Sequence, residues 1–205
     1  MPKILNYGSL NIDYVYDVAH FVAPGETLRA KSRNIFAGGK GLNQSVALAR
    51  AGGKVYHAGA VGASDGEILQ RVLDENKIDH SFLKKSDGPS GHTVIQVDEK
   101  GQNCILLFGG ANQTISKEDI DATLANFSAG DYLVLQNETS NIAYMMEEAA
   151  KKGLKICFNV SPFTKELLSL PLKLCSYLIV NEGVGAAMVD MDPDTDPYIL
   201  IECRC

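Results

Sequence analysis

The residues in this chain best suited to chemistry are the run Ala37-Gly38-Gly39-Lys40-Gly41-Leu42-Asn43-Gln44. Three glycines in four positions allow backbone that a side chain would forbid, and the residues from Asn43 to Ala51 continue as good helix formers. A helix beginning here would leave free amide N–H groups pointing out of its start, which attracts anionic or oxygen-rich ligands. Lys40 adds a positive charge, and Asn43 offers a hydroxyl both a donor and an acceptor. The plainer alternative is a glycine-rich loop that only turns a strand into a helix, and the run taken alone leaves both readings open. Two better-known phosphate loops are excluded. A Walker loop needs a glycine where Asn34 stands and Ser or Thr where Gly41 follows the lysine, and a dinucleotide fingerprint would directly follow the first strand.

A second group lies near the N-terminus. Ile4 to Tyr7 reads as a buried strand ending at Gly8-Ser9, and Asn11 and Asp13 follow on alternate positions, so both face one side of an extended chain. In open α/β sheets ligands collect beyond the carboxyl ends of strands, where an aspartate can accept hydrogen bonds from two adjacent sugar hydroxyls. The competing reading is that both residues only cap a turn.

The elements that would position these residues alternate. Helices are predicted over Gly41 to Ala51, Asp65 to Asn76, Ser116 to Phe127 and Ile142 to Lys151. Strands are predicted over Val55 to Ala60, Ser81 to Leu83, Tyr132 to Gln136, Lys155 to Asn159 and Tyr177 to Val180. Such alternation predicts an α/β fold with an open, mostly parallel sheet. Two β excursions interrupt it. One comprises Asp13 to Val18 and Thr27 to Phe36; the other is a hairpin of His92 to Asp98 and Asn103 to Phe108, and together they would form a small β lid. A short helix through Met188 precedes an acidic, turn-rich stretch from Asp190 to Asp196 and an apolar end.

Composition narrows the class. With 205 residues, 45% hydrophobic and 21% charged, the chain suits one main globular domain. A net charge of −6, with no basic run longer than Lys84-Lys85 or Lys151-Lys152, argues against nucleic acid as a partner and for a small molecule. No segment approaches ~18 unbroken apolar residues, so neither a membrane span nor an export leader is expected, and a cytoplasmic location is. The five cysteines and four histidines are dispersed, so no metal site is expected from them. Cys104, Cys157 and Cys175 lie in apolar runs and are expected to be buried thiols.

Taken together, Gly8-Ser9-Leu10-Asn11-Ile12-Asp13, Pro24-Gly25-Glu26-Thr27, Gly38 to Gln44, Gly59-Ala60-Val61-Gly62 with Asp65-Gly66, and Asn181-Glu182 after a strand resemble the ribokinase-like carbohydrate kinases in order and spacing. The resemblance runs from Met1 to about Met188. It implies ATP-dependent phosphorylation of ribose or a related sugar at its primary hydroxyl, with Mg²⁺ as the accompanying ion. It also implies that Asn11, Asp13, Gly39, Lys40, Gly41, Asn43 and Glu138 hold the sugar, that Asn181 lies on the nucleotide side, and that the lid closes over sugar and pairs two subunits into a homodimer. Two departures accompany it. Val184 stands where the family has a Glu that helps organise Mg²⁺ and phosphates. The family's Gly-Ala-Gly-Asp helix start, whose Asp is the catalytic base, has no counterpart; Ser128-Ala129-Gly130-Asp131 precedes a strand and reads as a turn. No catalytic or metal-binding residue is therefore assigned. The expectation is a ribokinase-like α/β domain over residues 1–188 with its C-terminal part missing, its lid drawn from about 13–36 and 91–109, and an atypical tail at 189–205. Such a chain would be inactive alone; the alternative is a non-catalytic sugar-binding or dimerising pseudokinase module.

Overall fold

The computed structural model describes residues 1–189. The predicted alternation is present as a six-stranded, all-parallel sheet. Its strands are β1 (Ile4–Tyr7), β4 (Val55–Gly62), β5 (Asp79–Ser86), β8 (Tyr132–Gln136), β9 (Lys155–Asn159) and β10 (Tyr177–Ile179), in the order β10-β9-β8-β1-β4-β5. From β1 the chain builds outward to β4 and β5, then returns to β1's other side with β8 and continues to β9 and β10. This makes the carboxyl end of β1, beside that of β8, the topological switch point at which such sheets open a crevice.

Side-chain alternation along β1 divides the core. Leu5 and Tyr7 join the larger apolar cluster, with Leu133, Leu135, Ile156 and Phe158. Helices α3 (Lys117–Leu124) and α4 (Ile142–Lys151) cover this face. Ile4 faces the other side, where Leu10, Leu42, Val55, Leu69 and Leu73 pack under α1 (Lys40–Arg50) and α2 (Glu67–Glu75). The last helix, α5 (Glu182–Val189), follows β10.

The two β excursions form one four-stranded sheet of β2 (Asn11–Asp17), β3 (Ser32–Gly38), β6 (Gly91–Val97) and β7 (Asn103–Phe108), in the order β3-β2-β6-β7. Only its root is buried. Phe36 is 54% exposed, Ile105 54% and Leu107 44%, and the register aligns all three with Asp13 and Thr93 on one face.

Several boundaries and one burial differ from expectation. β3 begins at Ser32 rather than Thr27, because the ladder with β2 starts at the Asp17–Ser32 pair, just after the Lys31 amide donates to the Asp17 carbonyl. β5 spans eight residues, as backbone pairing to β4 carries it through Lys84 and Lys85, whose side chains gave no apolar strand signal. α2 begins two residues late because the Asp65 carboxylate accepts from the Ser90 amide and hydroxyl, tying this turn to the lid's root. α3 stops at Leu124, three residues short of Phe127. Cys104 is exposed, not buried, since β7 is the outer strand of the lid sheet and is exposed along its whole length. Cys157 and Cys175 are half-buried, and burial pushes the Cys175 thiol up to about 11. The expected tail lies outside the described residues beyond Val189.

Candidate active site

Gly39 starts the central helix with a φ of 99°, a conformation that glycine adopts without steric cost. Gly41 lies so close to the end of β1 that an added Cβ would stand 2.3 Å from the Ser9 nitrogen and 2.5 Å from the Gly8 carbonyl carbon. The glycine run thus lets the helix start press directly on the switch point.

The expected free amides are not there. The Lys40 amide donates to Glu138 Oε2 at 3.3 Å, Gly41 to Ser9 Oγ at 3.1 Å, Leu42 to the Ser9 carbonyl at 2.9 Å and Asn43 to the Gly39 carbonyl at 3.0 Å. The favourable place for negative charge is already taken by Glu138, two residues beyond β8. Its carboxylate is only 6% exposed, accepts from the Ser9 hydroxyl, and forms an ion pair with Lys40 Nζ at 3.0 Å. Sequence reasoning missed the role of Ser9 as the hinge of this cluster, although Ser9 stood inside a recognised motif.

Asn11 and Asp13 do share one side of β2. Asp13 Oδ1 accepts from Thr93 Oγ1 at 2.7 Å, and Oδ2 lies over Gly38, where a Cβ would come within 2.0 Å of it. Burial raises the pKa of Asp13; the Thr93 hydrogen bond opposes this, Glu138 adds to it and Lys40 opposes it. Asp13, Lys40 and Glu138 therefore interact electrostatically although they come from β2, α1 and the β8 loop. Asn11 is buried, and its Oδ1 accepts from Asn112 Nδ2 at 2.8 Å. Asn112 also bonds both backbone groups of Leu10, at 3.0 and 3.1 Å. Neither Asn112 nor Thr93 was found from sequence; the signal for Asn112 was Gly109-Gly110-Ala111-Asn112, a second glycine-rich turn after a strand.

Asn11, Asn112, Gln113, Asn137 and Glu138 line a cleft of about 210 Å³ that Leu107 of the lid overhangs. Asn43 is exposed on α1 and does not line this cleft, and among the described residues its side chain has no hydrogen-bond partner. Asn181 does not join the cluster. It follows β10, three strand spacings or about 14 Å from β1, and its Oδ1 caps α5 by accepting from the Val184 amide at 2.8 Å. The Ser128 to Asp131 segment is a turn, with the Asp131 carboxylate accepting from the amides of Ser128 and Lys3.

The structure is an open, all-parallel α/β sheet with a β lid beside a cleft at its switch point. The pfkB family carbohydrate kinase model matches residues 1–194, and the chain belongs to that family. The chain is 36% identical over 170 residues to ribokinase of Haemophilus influenzae, an alignment that covers 80% of this chain and 56% of that one. A ribokinase structure from Thermotoga maritima is similar with a TM-score of 0.83 at 31% identity, covering 99% of this chain and 69% of that one. Ribokinase of Arabidopsis thaliana complexed with ribose and ATP is similar with a TM-score of 0.81 at 25% identity, covering 98% of this chain and 67% of that one. The chain thus spans a little over half the length of the Haemophilus protein that it matches.

Proposed function

We propose that this chain is the sugar-binding, lid-bearing part of an ATP-dependent kinase that phosphorylates ribose or a related sugar at its primary hydroxyl. The observation that carries this reading is the meeting of Asp13, Lys40 and Glu138 at the switch point, beside a polar cleft overhung by the lid. Asn11, Asp13, Gly39, Lys40, Gly41, Asn43 and Glu138 form the sugar site in this reading. The free Asp13 Oδ2 accepts from one sugar hydroxyl and the unpartnered Asn43 carboxamide bonds another, while Gly39 and Gly41 let the backbone come close. Asn181 marks the nucleotide side, and ATP supplies the transferred phosphoryl group when bound. Support comes from the Arabidopsis relative complexed with ribose and ATP.

Mg²⁺ fits the described residues poorly. Among them no three His, Cys, Asp or Glu side chains are grouped to hold a metal, and the side chain of Val184 offers no oxygen. We further read residues 1–188 as one domain with its lid from about 13–36 and 91–109, and the open lid face as the contact of a homodimer. Small sheets with an apolar face need such cover. Among the described residues no helix is long and apolar enough to cross a membrane, in keeping with a cytoplasmic place of action. Calorimetric titration of the purified chain with ribose tests the reading: saturable binding that Asp13→Ala abolishes is expected, and the absence of any heat from ribose and other pentoses overturns it.

A further inference from the structure

Beneath the helix start lies a chain of polar side chains that does not line the cleft: Asn6, Ser45, His57 and Gln136 are fully buried, and Gln44 at its edge is half-buried. Asn6 of β1 is fully buried; its Nδ2 donates to the Gly41 carbonyl at 2.7 Å and to Ser45 Oγ at 2.8 Å, and its Oδ1 accepts from Gln136 Nε2 at 2.9 Å. Gln136 Nε2 also reaches Gln44 Oε1 at 2.6 Å. Having accepted from Asn6, the Ser45 hydroxyl has its own proton to give, and His57 Nδ1 of β4 stands 2.7 Å away. With Ser45 as the donor, Nδ1 is bare and the proton of the neutral imidazole sits on Nε2. Complete burial favours the neutral ring and pushes the group down to about 4, the backbone of Gly8 opposing this and His80 adding to it. Among the described residues Nε2 has no hydrogen-bond partner.

We infer that His57 is a positioning residue for the sugar site, acting through Ser45 and Asn6 to fix the helix start that carries Lys40 and Asn43. The inference rests on the proposed sugar-binding reading for its functional consequence, but its structural part does not. Apolar side chains would fill this space without buried polar groups to satisfy, whereas a polar network specifies one arrangement of the elements it joins. Here it joins β4, β1 and β8 to the first turns of α1, ending on the Gly41 carbonyl between Lys40 and Leu42. Ser45 has a defined hydroxyl orientation only while His57 offers an acceptor; without it, Ser45 turns toward the Gly41 carbonyl or its own helix and competes with Asn6.

The test uses the whole chain, with amide hydrogen exchange and ribose titration run in parallel on wild type, His57→Phe and His57→Asn. Phenylalanine keeps the ring and removes the acceptor, and asparagine places an oxygen near the lost Nδ1. In His57→Phe, exchange at Gly41, Leu42 and Asn43 should rise about tenfold relative to Ile156 of β9, and ribose affinity should fall about tenfold. His57→Asn should restore both to within about threefold. If His57→Phe does not fold, Ser45→Ala removes the same link and should show the same localised rise. Unchanged exchange, an equal rise throughout the chain, or no restoration by asparagine overturns the inference. If wild type binds no ribose, the proposed function fails, and the exchange pattern alone decides whether His57 fixes the helix start.

Discussion

Lys40 meets Glu138 twice, through its Nζ at 3.0 Å from Oε1 and through its own amide at 3.3 Å from Oε2. One carboxylate thereby answers a side-chain cation and the positive end of a helix, and the Ser9 hydroxyl donates to it as well. Glu138→Gln keeps the shape and removes the charge, leaving Lys40 without its partner. A loss of about 1–3 kcal/mol in urea unfolding is expected. The same variant should weaken ribose binding, and an unaltered urea midpoint would refute the assigned role.

Asp13 should trade stability against binding. Its pKa is raised in the folded chain, so folding favours the protonated form. The sign follows: the penalty from its charge is absent below the unfolded value near 3.8 and grows as pH rises through the folded value. Asp13→Asn, which can still accept from Thr93, should therefore unfold at a higher urea concentration than wild type at pH 7 but match it at about pH 3. Ribose affinity of the same variant should drop at least about tenfold, as for loss of a hydrogen bond to a charged group. A variant less stable than wild type at neutral pH would contradict the raised pKa.

Gly41→Ala should be among the most damaging single-methyl changes in the chain. The new Cβ would collide with backbone atoms of Gly8 and Ser9, which cannot swing aside as a side-chain end can. We expect a cost of about 3 kcal/mol or more in thermal or urea unfolding, at the upper end of overpacking, and no measurable ribose binding. Wild-type affinity in this variant would show that the close approach is dispensable.

The lid should join two copies. Ile105 and Phe36 lie exposed on the face that also carries Asp13. Sedimentation should show a dimer, and Ile105→Asp should convert it to a monomer while leaving the far-ultraviolet spectrum unchanged. A wild-type monomer at high concentration would remove the lid from this role.

The 205-residue chain alone should not release ADP from ATP in the presence of ribose and Mg²⁺. Phosphoryl transfer depends on a positioned base and on donors that stabilise charge, and losing one such donor already costs roughly 10²–10³ in rate. Asp131 cannot serve, since its carboxylate is held by the amides of Lys3 and Ser128. A coupled assay should stay at background; turnover that Asp131→Asn abolishes would reverse this conclusion.

The sequence by itself determined the alternation of strands and helices, the lid's strands, and the Asn11, Asp13 and Gly39-to-Asn43 candidates. Those signals are local: side-chain period, glycine spacing and the residue types that start and stop helices, such as Ser116 ahead of α3, whose hydroxyl accepts from the Asp119 amide. Only the tertiary structure decided what answers the helix start. Its amides are taken by Glu138 and Ser9, which lie 98 and 32 positions away from their partners in the chain. The same holds for Thr93 beside Asp13, Asn112 beside Asn11, and His57 behind Ser45, whose side chains carry no periodic signal of their own. Strand order brings β1, β4 and β8 together, and the hydrogen bonds among their ends follow from that adjacency. No local pattern encodes such pairs, because their energy exists only when distant segments share one small, largely water-free space.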